Sequence, residues 1–209
     1  MMTVDEMLSE VAKIVDTAPK NSAEAERTAA PKKQEAVNKK TIPDAVTTKK
    51  PTDTVPSAAE VSAAPSGVPV RLRPALGLGI AKEIAYCVEK AADIIGVKVV
   101  TAIADEGGNL ILLEAMDDSY IASINAARDK AYTAVALKMP THKALEESRG
   151  GALDGFTNGG GILMLGGGYP IEHGGRVAGG IGVSGGTKEQ DMLLARIGTE
   201  YFKKRINSL

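Results

Sequence analysis

Three ionisable side chains have types suited to moving protons. Asp105 and Asp117 lie before and after the second strand of one strand–turn–strand stretch, and Lys130 lies on the helical stretch that follows. Brought together near the glycine corner Gly166-Gly167-Gly168, they would make a carboxylate and amine pair for general acid–base work. Each also has a plain structural use. Asp105 opens Asp105-Glu106-Gly107-Gly108-Asn109, a hairpin-turn sequence, and Asp117 precedes a helix start. The chain has no Ser-His-Asp order, no Cys/His metal spacing and no phosphate loop ending in Lys-Ser/Thr. Gly179-Gly180-Ile181-Gly182 lies in a strand pattern, not a strand-to-helix turn, so it is no dinucleotide fingerprint.

The residues that would position this chemistry centre on Arg176 to Ser184. Ile181 and Val183 share one face of a strand, while Gly180 and Gly182 share the other. A strand face made of glycine lets a backbone, a second subunit or a flat ligand come close. Upstream, Gly166-Gly167-Gly168-Tyr169-Pro170 reads as a tight corner leading into Ile171.

Taken in order, the chain opens with an amphipathic stretch. Val4, Met7, Leu8, Val11 and Val15 lie on one helical face, and Thr3 with Glu6 forms a capping box. Residues 1–17 are read as a targeting helix that docks on a partner, because so short a helix is marginal alone in water. Residues 18–72 form a Pro/Ala/Lys linker. Its prolines leave no periodic apolar face to offset ordering entropy, so it is expected to be disordered. A sticky helix on a long tether resembles the encapsulation peptides that carry cargo into bacterial microcompartments.

The folded domain spans 73–209. Pro74 suits a first helical turn, the stripe Leu76, Ile80, Ile84, Val88, Ala91, Ile95 continues it, and Gly96 ends it. Cys87 beside that stripe reads as a small buried residue. Strands follow over 97–104 and 110–116. A helix capped by Asp118 or Ser119 runs to Pro140, and 141–147 is a short helix or turn. Ile162–Leu165, Ile171–His173 and Arg176–Ser184 read as three further strands, and Thr187 caps a last helix. The expectation is an α+β fold with a mostly antiparallel five-stranded sheet and packed helices.

Net charge is -1, tryptophan is absent, and one cysteine is present. The balance gives no reason to expect nucleic-acid binding, and a lone cysteine fits a reducing compartment. No apolar run reaches the length of a membrane span. A soluble, cytoplasmic protein without membrane attachment is expected.

Five motifs in order resemble one family. Ala104-Asp105-Glu106-Gly107-Gly108-Asn109-Leu110 is similar to its Val-Asp-x-Gly-Gly-x-Leu turn, and Met116-Asp117-Asp118-Ser119 to its Met-Asp-Gly-Ala segment. Ala127 to Ala134 resembles its Ala-x-x-Lys-Ala-x-Thr-Ala helix. Gly167-Gly168-Tyr169-Pro170-Ile171 and Gly180-Ile181-Gly182-Val183-Ser184-Gly185 match its Gly-Gly-x-Pro and Gly-Val-Ser-Gly signatures, and Gln190-Asp191 follows as in the family. On these residues the stretch from Leu76 to Phe202 resembles the GlcG/HbpS-like, or haem-degrading, domain family, which includes the C-terminal domain of PduO-type corrinoid adenosyltransferases. Asp118 departs from the pattern, standing where the family usually has Gly.

The resemblance implies a profilin-like fold, a homo-oligomer and haem binding, and some relatives sit in microcompartment operons. Haem iron takes His, Cys, Met or Tyr ligands. His142 and His173 are the chain's two imidazoles and so the metal candidates, with Tyr169 and Met164 behind them. The N–H groups of Gly166, Gly167 and Gly168, with Arg128 or Lys130, are candidates for the haem propionates. The function this implies is a haem or tetrapyrrole-binding accessory protein, carried through residues 3–16 to shell or core proteins in a microcompartment lumen. Alternatives are a small-molecule enzyme of that compartment, or a non-catalytic assembly module in which the glycine-faced strand is a subunit seam.

Overall fold

In the computed structural model, the described residues are 73–156 and 159–208, together with Ser9. The expected targeting helix and linker lie outside them.

Helix α1 (Leu78–Ile94) is followed by strands β1 (Val100–Asp105) and β2 (Leu110–Ala115), helices α2 (Ile121–Leu137) and α3 (Thr141–Glu147), strands β3 (Gly168–His173) and β4 (Arg176–Ser184), and helix α4 (Lys188–Asn207). The four strands form one antiparallel sheet in the order β2-β1-β4-β3. Among the described residues the α+β class holds, but with four strands rather than five. The segment Ile162–Leu165 is not a strand, because its backbone is satisfied elsewhere. Ile162 N–H donates to Gly159 O, Leu163 N–H to Thr133 Oγ1 at 2.7 Å, and Leu165 O accepts from Thr141 Oγ1 at 2.5 Å. Side chains of α2 and α3 take the bonds that a neighbouring strand would have supplied.

The two sheet faces are covered differently. Ile103, Ile181 and Val183 pack with Ile84, Val88, Leu194 and Phe202 of α1 and α4. On the other face, Val100, Ala102 and Ala104 pack with Ala127, Ala131 and Val135 of α2. There the glycines of β4 decide the geometry. A Cβ on Gly180 would lie 2.6 Å from Ala131 O, and one on Gly182 would fall against Ala127 O and 2.6 Å from Ala131 N. The close neighbour of the glycine face is therefore the backbone of the chain's own helix. Gly180 and Gly182 are fully enclosed within one subunit, so the expected subunit seam on this face is replaced by an internal helix–sheet contact.

Element ends show where local signals competed. Leu76 N–H pairs with Ala178 O and Gly77 is extended, so α1 starts at Leu78 and not at Pro74. Gly96 at φ +69° follows the helix end as expected. Val97 N–H still donates to Ala92 O, which delays β1 to Val100. Neither Asp118 nor Ser119 caps α2. Asp118 sits at φ +65° within the turn, and Tyr120 is the N-cap, without a side-chain cap bond. Thr187 and Gln190 close a full capping box on α4, as the sequence indicates.

Candidate functional site

Lys130 is fully buried on the sheet-facing side of α2. Its Nζ donates to Asp191 Oδ2 and to Val183 O, both at 2.8 Å. Asp191 Oδ1 in turn accepts Gly186 N–H at 2.9 Å. Burial pushes the Asp191 carboxyl up and the Lys130 amine down, and the opposite charge of each partner works against that. The pair ties α2 to α4 at the end of β4.

The expected acid–base group does not assemble around Lys130. Asp105 ends β1 at the β1–β2 turn, where its Oδ1 accepts Gly107 N–H at 2.9 Å and Asn109 N–H at 2.8 Å. Burial acts upward on this carboxyl, but hydrogen bonds from Asn109 and Gly107 hold it below the usual carboxylate range. Asp117 is exposed beyond the far end of the same hairpin, after Met116 N–H bonds Val99 O. The two carboxylates are thus at opposite ends of β1–β2, and Lys130 is already taken by Asp191.

A second cluster forms at the start of β3. Thr141 Oγ1 accepts Gly168 N–H at 2.9 Å while donating to Leu165 O, which fixes α3 against the glycine corner. Gly168 has to be glycine, since a Cβ there would lie 2.5 Å from Thr141 Cγ2 and 2.6 Å from Lys130 O. The next residue, His142, is thereby set beside Tyr169, with ring centroids 5.7 Å apart. His142 Nδ1 is enclosed and has no hydrogen-bond partner. Burial, with smaller contributions from Lys143 and Lys188 against Glu146, holds its pKa below the ordinary value, so the ring is neutral at pH 7. Burial also raises the Tyr169 phenol, which keeps it protonated and a poor ligand anion.

Beside these rings, Tyr169, Lys188, Glu189, Met192, Leu193 and Arg196 line a groove of about 250 Å³. Lys188, Met192 and Arg196 recur every four residues along one stripe of α4. That spacing was available in the sequence, but an apolar-face reading of α4 passes over it. The other sequence-stated candidates are distributed differently. His173 is exposed at the far end of β3, about 13 Å along the strand from Tyr169 at the ordinary rise. One chain cannot bring both imidazoles to one iron. Arg128 lies on the exposed side of α2 and pairs with Asp129 at 3.0 Å. Of the three-glycine corner, Gly168 N–H is spent on Thr141. Met164 is buried, and burial lifts the buried Cys87 thiol to about 12, which makes it inert. Among the described residues, no group of three or more His, Cys, Asp or Glu is arranged to hold a metal ion, and no helix is long and apolar enough to cross a membrane.

An antiparallel sheet with α2 pressed on its glycine face and α1 and α4 on the other, with a groove lined by Tyr169 of the edge strand β3, defines the class of domain. The family described as Haem degrading protein HbpS-like matches residues 76–200, and the chain belongs to it. It is 42% identical over 130 residues to an uncharacterized 15.0 kDa protein of the dhaT-dhaS intergenic region of Citrobacter freundii, covering 61% of this chain and 92% of that one. Among solved structures, Klebsiella pneumoniae protein ORFY is 37% identical with a TM-score of 0.61, covering 64% of this chain and 94% of its own. The PduOC:Heme complex is 33% identical with a TM-score of 0.57, covering 60% of this chain and 94% of its own.

Proposed function

We propose that the domain binds haem or a related tetrapyrrole in the groove beside β3, with His142 as the iron ligand. The observation that carries this reading is the His142 imidazole, with its enclosed, unpartnered Nδ1, held against Tyr169, which lines a groove together with Lys188 and Arg196. Imidazole is a preferred haem ligand, the phenol offers a flat wall, and the two cations suit propionates better placed than Arg128 would. Met192 adds a thioether in the same groove. A solved relative in complex with haem, and the family's description, support the same ligand. When bound, haem would supply a redox-active iron. The residues of this chain would orient it and neutralise its carboxylates.

At about 250 Å³ the groove is smaller than the roughly 300–1,000 Å³ of pockets that enclose a ligand. One chain would cover only part of a flat macrocycle, which favours a homo-oligomer in which a second copy closes over it. The accessory role in a bacterial microcompartment lumen rests on the sequence pattern of residues 3–16 and the tether after it. Titrating the full chain with hemin, and recording the Soret band and molecular size together, tests the ligand. Saturable binding at one haem per chain is expected, and its absence in every oligomeric form contradicts it. Fusing residues 1–17 to a fluorescent protein tests delivery. Co-purification with assembled shells is expected, and exclusion from them removes the cargo reading.

A further inference from the structure

We propose that a second cleft, between the first turns of α2 and α4, binds a small carboxylate. The cleft adjoins the groove beside Tyr169, with Lys188 in the lining of both, and the proposal holds whether or not haem binds. The cleft, of about 220 Å³, is lined by Tyr120 and Ser123 of α2, by Leu165 and Gly166, and by Ser184, Gly185, Gly186, Lys188 and Asp191 leading into α4. Two helices of 17 and 20 residues begin here, so the positive ends of two helix dipoles meet at one place. On α2 that charge is uncompensated. Its N-cap Tyr120 makes no side-chain cap bond, and its first turn has no acidic residue.

Two largely enclosed serines, whose hydroxyls open onto the cleft, point to a ligand independently of the helices. Ser123 is 6% exposed and Ser184 is 8% exposed, and both line the cleft. Neither side chain has a hydrogen-bond partner among the described residues. With no protein partner, a hydroxyl that lines a cleft can donate to or accept from a molecule that enters it. The one carboxylate in the lining does not oppose an anion. Asp191 is matched by Lys130 at 2.8 Å and accepts Gly186 N–H. Glu189, the other acid in the first turn of α4, lines the haem groove instead, and Asp117 and Asp118 are exposed in the preceding turn. Lys188 supplies a cation in the lining.

The lining combines polar groups with the apolar surfaces of Tyr120 and Leu165. A carboxylate with a short hydrocarbon part uses both kinds of surface, whereas inorganic phosphate leaves the apolar part unmatched. The same chemistry is presented by a free short-chain acid and by the propionate arm of a tetrapyrrole. Sodium propionate titrated into the full chain, followed by backbone amide NMR, tests the site. The expected result is saturable shifts at Ile121 to Ser123 and Gly185 to Glu189, with inorganic phosphate at least tenfold weaker. Lys188→Gln combined with Ser184→Ala should weaken propionate at least tenfold, while Ser123→Ala provides a milder variant should the pair fail to fold. If hemin displaces propionate and its dimethyl ester does not, the tetrapyrrole arm is the occupant. If neither displaces it, the free acid is. No saturable shift at these amides with propionate, or equal affinity in wild type and folded variants, overturns the proposal.

Discussion

Lys130 and Asp191, sixty-one residues apart, meet with Nζ 2.8 Å from Oδ2 and side chains only 0% and 6% exposed. A buried ion pair loses most of its hydration on folding. Removing one partner strands the other charge, so it costs more than removing both. Lys130→Met should destabilise the domain by about 3–5 kcal/mol in urea denaturation. Lys130→Met with Asp191→Leu should recover at least half of that loss. A double variant as unstable as the single one would mean that the pair is not what couples α2 to α4.

Gly182 provides a test of why β4 carries glycine. A Cβ there meets Ala127 O and Ala131 N of α2, both rigid backbone atoms. Gly182→Ala should cost about 1–3 kcal/mol or somewhat more through overpacking. Thermal unfolding at several protein concentrations separates this from an interface effect. The loss should be independent of concentration, whereas a subunit seam would make it concentration-dependent.

Asp118 holds a left-handed backbone at φ +65° where the family pattern has Gly. An L-residue in that region costs roughly 1–2 kcal/mol, partly offset by the greater unfolded-state freedom of glycine. Asp118→Gly should therefore raise stability by about 1 kcal/mol, seen as a higher denaturation midpoint with an unchanged slope. A lower midpoint would show that the aspartate makes a compensating interaction.

The pH dependence of haem binding follows from His142. Its folded pKa lies below the ordinary 6.5, chiefly through burial. A proton therefore prefers the unfolded chain. This stability contribution declines as pH falls below 6.5 and levels off once pH is below the folded value. Iron needs the neutral ring, so hemin affinity should stay flat above pH 6.5 and weaken only at lower pH. Affinity measured by Soret titration across pH 5–8 checks this, and a midpoint above 6.5 would contradict it.

Much of this organisation is legible in the chain. The alternation Gly180-Ile181-Gly182-Val183 correctly separates two faces of β4, and Thr187 with Gln190 marks the start of α4, because both signals are local. What glycine faces is not a local matter. A backbone, a ligand and a second subunit all require the same missing Cβ, and only the tertiary contact identifies α2. The fifth strand failed for a related reason, since Ile162–Leu165 has strand-like residues but bonds to Thr133 and Thr141. For the site, His142 and Tyr169 were named from residue type. Lys188, Met192 and Arg196 join them only once α4 is laid beside β3, and Asp105, Asp117 and Lys130 separate because the hairpin sets the two carboxylates at opposite ends.

The account depends most on His142, beside Tyr169, as the iron ligand. Hemin titrations of the full chain with His142→Ala and with His173→Ala compare the two imidazoles directly. The expected result is a wild-type Soret band and affinity in His173→Ala, and a shifted band with affinity at least tenfold lower in His142→Ala. A His142→Ala spectrum and affinity identical to wild type would contradict it.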